Sequence, residues 1–357
     1  MERKLASVQI ISSLENIEGA DKIMKATVLG WELVVLKHEF NVGDKCVYCE
    51  VDSILPDRPE FEFLRSKKFR IKTIRLRGQV SQGICFPLSI LPKGDYKEGD
   101  DVTKILGIRK YDPQAEAEQR EIDKLNEIHK NRLRKHFMRY SWFRRLVYRP
   151  QRLPRPGFIR KTDEDRIQLF PRICEDERDT TFFATEKLDG TSASYFVVKK
   201  GWRYKYGICS RNFQMVKKDN VYWRVSDKFG IEKILKGIIK VCGADMVFVQ
   251  GEIIGPKVQG NKYKLDDLEF YVFNLKIGHV WYTFPSRIHF MLGGELSAVP
   301  LVTDSYMLPK TIPQAVEQAV GTSVLADIPR EGLVIRNSKK NISFKIINPK
   351  FLLKYDE

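Results

Sequence analysis

Six strand-like runs between residues 165 and 357 carry charged side chains inside otherwise apolar stretches. The runs are 181–198, 203–209, 246–254, 268–275, 332–336 and 341–347. Lysine and glutamate are seldom buried unpaired, so pure packing does not explain this pattern. The sharpest instance is ATEKLDGTSASYF, residues 184–196, where Lys187 stands two residues before an Asp-Gly pair. Asp-Gly is a hairpin signal, and a turn with a solvated lysine is the plain reading. In an extended segment, however, Lys187 and Asp189 point the same way, because side chains alternate with period two. A lysine beside a carboxylate is either an ion pair or a nucleophile next to a metal-binding group. A nucleophilic lysine needs its pKa lowered by burial or by nearby positive charge, which cationic neighbours and a metal ion would supply.

The other runs offer partners for such a site. SRNF supplies Arg211, FVQGEIIGP sets Glu252 after apolar residues, and EFYVFNL carries Phe273. REGLVIRN puts Glu331 at the mouth of a strand, and ISFKIINPKF puts Lys345 within the next. The segments VSDKFGIEKILKGIIKVCG and IPQAVEQAVGTSVL read as helices, so this part is α+β.

Residues 1–108 read differently. KATVLGWELVVLKHEF, KCVYCEVDSIL, RIKTIRLRGQVSQGICFPL and DDVTKILGI are strand-like, with Gly-Asp turns at 43–44, 94–95 and 99–100. Several short strands in about 100 residues suggest a small barrel, and an OB fold suits a nucleic-acid partner. No residue there stands out as functional. Tyr48, Arg75 and Arg77 read as barrel surface.

The net charge of +16 is strongly localised. Twelve lysines and arginines, and no acidic residue, lie between Ile128 and Thr162. Over residues 113–149, Ile122, Leu125, Ile128, Leu133, Phe137, Tyr140 and Phe143 recur at helical spacing. Pro150, Pro154 and Pro156 end the helix and form a stiff linker. Aromatic residues interleave with the basic ones, so phosphate neutralisation and base stacking point to nucleic acid, with Arg132, Arg134, Lys135, Arg139, Arg144 and Arg145 as candidate contacts. A solvated face of a packed helix, or a basic helix lying on an anionic membrane, would show the same composition.

Several classes are excluded. No stretch is long and apolar enough to span a bilayer, and the N-terminus has no signal-peptide core, so a cytoplasmic location is expected. There is no G-x-x-x-x-G-K-[ST] loop and no H-E-x-x-H. Cys46 and Cys49 form a C-x-x-C, but in a strand they point to opposite faces and no second ligand pair exists, so free thiols are expected.

The ordered set KxDG, SRN, GEIIGP, FYVFNL, EGLVIR and SFK resembles the covalent nucleotidyltransferases: DNA ligases, RNA ligases and mRNA capping enzymes. GEIIGP and FYVFNL look most like RNA ligases of the bacteriophage T4 RNA ligase 2 type. The N-terminal stretch IEGADKI to VDSILP, with KTDEDRIQ, resembles the branch that carries an OB domain before the ligase domain. Twelve residues follow Lys345, so no OB domain is expected after it.

The resemblance implies an OB-like β-barrel over 1–110, a basic helical insertion and Pro-rich linker over 111–160, and a nucleotidyltransferase (ATP-grasp-like ligase) domain of antiparallel sheets and helices over 161–357. It implies an ATP-dependent RNA ligase of RNA repair that joins 3′-hydroxyl and 5′-phosphate ends. Lys187 would take AMP from ATP, and AMP would pass to the 5′-phosphate before the 3′-hydroxyl expels it. Glu186 would touch the adenine through its main chain, Phe273 would stack on it, and Glu252 would hold the ribose hydroxyls. Arg211 would contact ribose or nucleic acid, and Lys345 would neutralise the α-phosphate. Glu331 and Asp189 would position Mg2+ or Mn2+. Many of these enzymes carry a second lysine two residues after the one matched to Lys345. Here that position is Ile347, with Lys350 three residues further as the candidate substitute. The expected partner is RNA, possibly a nicked duplex, and the expected state is a monomer. The alternatives are a DNA ligase, a GTP-using capping-type enzyme, or a silent OB-domain RNA-binding protein.

Overall fold

The computed structural model describes residues 4–111, 152–159 and 162–355. The helix expected around 113–149 and its basic residues Arg132, Arg134, Lys135, Arg139, Arg144 and Arg145 lie outside the described residues.

The N-terminal unit is the expected OB-type barrel. Strands β1 (Ala6–Ile10), β5 (Lys45–Cys49) and β9 (Ile84–Pro87) form one antiparallel sheet, and β2 (Ser13–Asn16), β3 (Ile23–Val28) and β4 (Trp31–Leu36) form another. β6 (Ser53–Ile54) pairs with β10 (Arg109–Lys110), and β7 (Thr73–Leu76) with β8 (Gln79–Gln82). A core of Val8, Trp31, Leu33, Val47, Phe61 and their neighbours fills the interior. Tyr48 is not surface: it is fully buried, and its hydroxyl donates to the Gln82 carbonyl at 2.8 Å. The expected strand in DDVTKILGI is a helical turn, Thr103–Leu106. Asp101 Oδ1 accepts from the Thr103 N–H at 2.9 Å, left-handed Gly107 stops the turn, and the Thr103 hydroxyl accepts from the N–H groups of Leu5 and Ala6 across the barrel. Together these contacts override the β-branched residues. Cys46 and Cys49 are both buried free thiols, and no group of three or more histidine, cysteine, aspartate or glutamate side chains gathers as metal ligands among the described residues.

The C-terminal unit has two antiparallel-type sheets. The larger runs β11 (Arg152–Pro154), β15 (Phe213–Met215), β14 (Arg203–Cys209), β13 (Thr191–Lys200), β16 (Met246–Ile254), β17 (Glu269–Ile277), β18 (Val280–Tyr282), with β19 (Ser297–Ala298) parallel to β17. The smaller runs β20 (Leu301–Met307), β12 (Thr181–Lys187), β21 (Gly332–Asn337), β22 (Ile342–Ile347). Helices Val221–Lys228 and Ile231–Cys242, separated at left-handed Gly230, cover one face of the larger sheet. Part of the expected linker is therefore strand: Arg152–Pro154 pairs with Phe213–Met215 at the sheet edge, where a proline is tolerated.

The two units are docked. Left-handed Gly30 closes on Ile312, whose Cγ2 would lie 2.9 Å from any added Cβ. The Arg166 guanidinium sits 5.3 Å from the Trp31 ring centroid and 3.5 Å from Asp52 Oδ2.

Candidate active site

The Lys-Leu-Asp-Gly stretch is not a hairpin. β12 belongs to the smaller sheet and β13 to the larger, so residues 188–190 carry the chain from one sheet to the other. Lys187 ends β12, opposite Gly332 of β21. The crossover is tight: a Cβ on Gly190 would stand 2.2 Å from the Ile253 carbonyl oxygen of β16. Only glycine lets the crossover pass this close to the backbone of β16.

A cavity of about 420 Å3 opens at this junction. It gathers Glu186, Lys187, Asp189, Arg211, Glu252, Phe273 and Lys345 from strands and turns far apart in sequence. An adjoining hollow of about 320 Å3 shares Lys187, Asp189 and Lys345 and adds Glu331 and Lys262. Lys350 is not brought in. It is exposed on the helix Pro349–Tyr355 and lines an interdomain cleft with Arg75 instead. Ile347, at the expected second lysine, is buried.

Charge pairing dominates the geometry. Lys187 Nζ donates to both carboxylate oxygens of Glu331 at 2.6 Å. Burial disfavours the ammonium, but Glu331, Glu252 and Asp189 outweigh it, and the Lys187 pKa is raised. The expectation of a lowered pKa therefore fails for the ligand-free protein. The carboxylates that ring the lysine are the physical reason. The lowered lysine is Lys345, brought down to about 7 by burial, by Lys187 and by Arg166. Glu252 is pushed up to about 8 by burial, against the pull of Lys187, and its Oε2 accepts from Ser192 Oγ at 3.1 Å. Burial also raises Glu331. Glu186 is buried, with its pKa raised by burial, and its Oε2 accepts from the Val324 N–H at 2.8 Å. Arg211 pairs with Asp163 at 2.6 Å. Burial works against ionising Asp163, yet Arg211 holds its carboxyl below the usual range.

Three features lay outside the sequence reading. Lys262 pairs with Asp189 and sits over the rings of Phe351 and Tyr355. Arg336, itself buried, donates to Glu164 at 2.8 Å, to the Phe273 carbonyl at 2.9 Å and to Asn274 Oδ1 at 3.1 Å. It is a charge inside an apolar strand, LVIRN, so the signal that found Lys345 was present for it too. The third is the cavity wall from the OB domain, made by Asp52, Arg70, Lys110 and Tyr111. Arg70 stacks 3.8 Å from the Tyr111 centroid and pairs with Asp52 at 2.8 Å. Nothing local in those residues marks them.

A divalent metal fits the donor set. Glu331 and Asp189 are two carboxylates at one cationic cleft, and Mg2+ is typically held by one or two carboxylates together with substrate phosphates.

An N-terminal OB domain closing on a two-sheet domain, with a lysine at a sheet crossover facing carboxylates and a second lysine, defines a covalent nucleotidyltransferase of the ligase type. Residues 180–355 match the family model described as RNA ligase, and residues 5–88 match one described as an OB-fold domain. Three solved structures of Naegleria gruberi RNA ligase are similar over nearly the whole chain. A variant with ATP and Mn has 30% identity and TM-score 0.78, covering 99% of this chain and 100% of that chain. The protein with PPi has 29% identity and TM-score 0.77, covering 99% of each. A variant with AMP and Mn has 28% identity and TM-score 0.76, again covering 99% of each. No curated protein matches the chain. The chain belongs to the RNA ligase family.

Proposed function

We propose that the protein is an ATP-dependent RNA ligase that joins 3′-hydroxyl and 5′-phosphate RNA ends through a lysyl-AMP and an AMP-capped RNA. The observation that carries this reading is the Lys187–Glu331 pair at the sheet crossover, with Lys345 in the same cavity. Lys187 Nζ attacks the α-phosphorus of ATP. A nitrogen–phosphorus bond forms, the bond to the bridging oxygen breaks, and pyrophosphate leaves. Attack needs the neutral amine, and Glu331, whose two carboxylate oxygens accept from Lys187 Nζ, is placed to take the proton. Phe273 stacks on the adenine and Glu186 lies at its edge. Glu252, on the strand beside Ser192, holds the ribose hydroxyls, and Arg211 contacts the ribose or the RNA. Lys345 stabilises charge on the α-phosphate. A divalent cation held by Glu331 and Asp189 supplies further charge neutralisation at the phosphates.

The 5′-phosphate of RNA then attacks the same phosphorus and frees Lys187. The 3′-hydroxyl next attacks the RNA phosphate and expels AMP. Splitting one condensation into displacements is the advantage of the covalent intermediate. Residues 1–110 act as the OB domain, 161–357 as the ligase domain, and 111–160 as a basic insertion that binds RNA, with a nicked duplex as one candidate substrate. One chain supplies both walls of the cavity, which supports a monomer. Six cysteines without a disulfide support the reducing cytoplasm.

The test is label transfer from α-labelled ATP with magnesium. Wild type takes up covalent label, and Lys187→Ala takes up none while keeping its RNA affinity. Unchanged labelling in that variant removes Lys187 from the nucleophile role, and labelling by GTP in place of ATP returns the capping-type alternative.

A further inference from the structure

The end of the larger sheet remote from the cavity carries a second set of groups that suit nucleic acid. β13 begins beside the catalytic cavity, where Ser192 donates to Glu252, and ends at Lys200. Eight residues of strand place that end about 26 Å away. The turn from β13 to β14 exposes Trp202, with 80% of its surface open, and the Arg203 guanidinium stacks 4.3 Å from its ring centroid. The stretch 199–205 adds Lys199, Lys200 and Lys205 and contains no acidic residue.

The turn from β17 to β18 reaches the same end. Lys199 N–H donates to the Asp245 carbonyl and Gly278 N–H to the Met246 carbonyl, both at 2.8 Å, so the two turns flank one short segment. Just past the second turn, β18 exposes Val280 and carries Trp281, which packs edge-on against Phe248 and lies 5.3 Å from Lys276 Nζ. Strands β13 and β17 flank β16, so they lie about 10 Å apart. Two indoles, each paired with a cation, therefore sit at one edge among lysines. Asp245 contributes the nearby carboxylate.

We propose that these two turns form a second RNA-binding surface, which grips a single-stranded stretch of the substrate about 26 Å from Ser192 at the cavity, a span set by the strand rise. The cations neutralise phosphates, and an unstacked base packs on Trp202. The surface rests on the RNA ligase reading, but it takes no part in nucleotide chemistry. Its residues are separate in sequence from the basic segment 130–161.

The experiment compares wild type with Trp202→Ala and with Lys200→Glu/Arg203→Glu, each as the full chain. Two nicked RNA duplexes are used. One ends short of the turns, and the other carries a single-stranded tail long enough to pass them. Self-adenylylation with labelled ATP reports folding and active-site integrity for each variant. Both variants are expected to adenylylate normally and to bind the short substrate like wild type. For the tailed substrate, Trp202→Ala is expected to lose about tenfold in affinity, within the range for one base–aromatic stack. The charge-reversal variant is expected to lose affinity and to show a shallower salt dependence. Equal tailed-substrate affinity and salt slope in all three proteins overturns the proposal. So does a loss of binding to anionic vesicles with RNA affinity unchanged, which would assign the turns to a membrane. If wild type adenylylates but neither binds nor seals RNA, the substrate reading itself falls, and this inference with it.

Discussion

Replacing Arg336 by methionine should loosen the clamp between the two sheets. Arg336 stands on β21, and its guanidinium reaches Glu164, the Phe273 carbonyl and Asn274 Oδ1 of β17, with Nε on Ser343 Oγ at 3.3 Å. Its side chain is 8% exposed and that of Glu164 is 22% exposed. Methionine fills much of the volume but leaves a carboxylate, a carbonyl and an amide oxygen without this donor. Removing one partner of a buried ion pair costs about 3–5 kcal/mol. Water reaches Glu164, so the lower end, about 3 kcal/mol, applies here. For a domain of this size that corresponds to a fall in Tm of about 6–12 °C. The Phe273 ring, 5.9 Å from the guanidinium carbon, loses its support as well. Nucleotide affinity should drop about tenfold, a fraction of the value of a base–aromatic stack. Thermal unfolding by circular dichroism and equilibrium ATP titration read the two effects. Arg336→Lys should restore only part of either, because an ammonium cannot span the two sheets as the planar fork does. A Tm within about 2 °C of wild type, with unchanged ATP affinity, would refute the clamp, since even one lost hydrogen bond to a charged group is worth about 1.5–3 kcal/mol.

Two further outcomes follow from the site. The folded pKa of Lys345, about 7, lies below its ordinary 10.5, so between those values the unfolded chain holds the extra proton and stability rises with pH. An anionic phosphate beside Lys345 reverses the shift, so ATP binding at pH 8 should take up a proton; calorimetry in buffers of different ionisation enthalpy measures this, and Lys345→Met should lose most of the uptake. Gly190→Ala should abolish adenylylation and lower Tm, because the methyl group would lie 2.2 Å from the Ile253 carbonyl oxygen; normal labelling by this variant would show that the crossover can relax.

Much of this protein is written locally in its chain. The OB strands follow from short β-branched runs and Gly-Asp turns, and β14 and β16 fall where alternation placed them. The charged residues set within apolar strands marked Glu186, Lys187, Glu252 and Lys345, because a charge in such a place needs a partner. Local patterning misjudged the elements whose conformation depends on contacts from elsewhere. Asp-Gly after Lys187 reads as a hairpin, yet β12 and β13 join different sheets because each finds its hydrogen-bond partners far along the chain. Thr103–Leu106 reads as strand but turns, held by the Thr103 hydroxyl, which accepts from the N–H groups of Leu5 and Ala6 across the barrel. Electrostatics was least legible. A sequence shows that Lys187 and Lys345 are lysines. Only the folded arrangement gives three carboxylates to the first and two cations to the second, and so raises one pKa and lowers the other. The same holds for Lys262, Arg336 and the OB wall of the cavity. Their roles arise from long-range juxtaposition, which no period or motif encodes, while the chemistry of each side chain was fixed from the start.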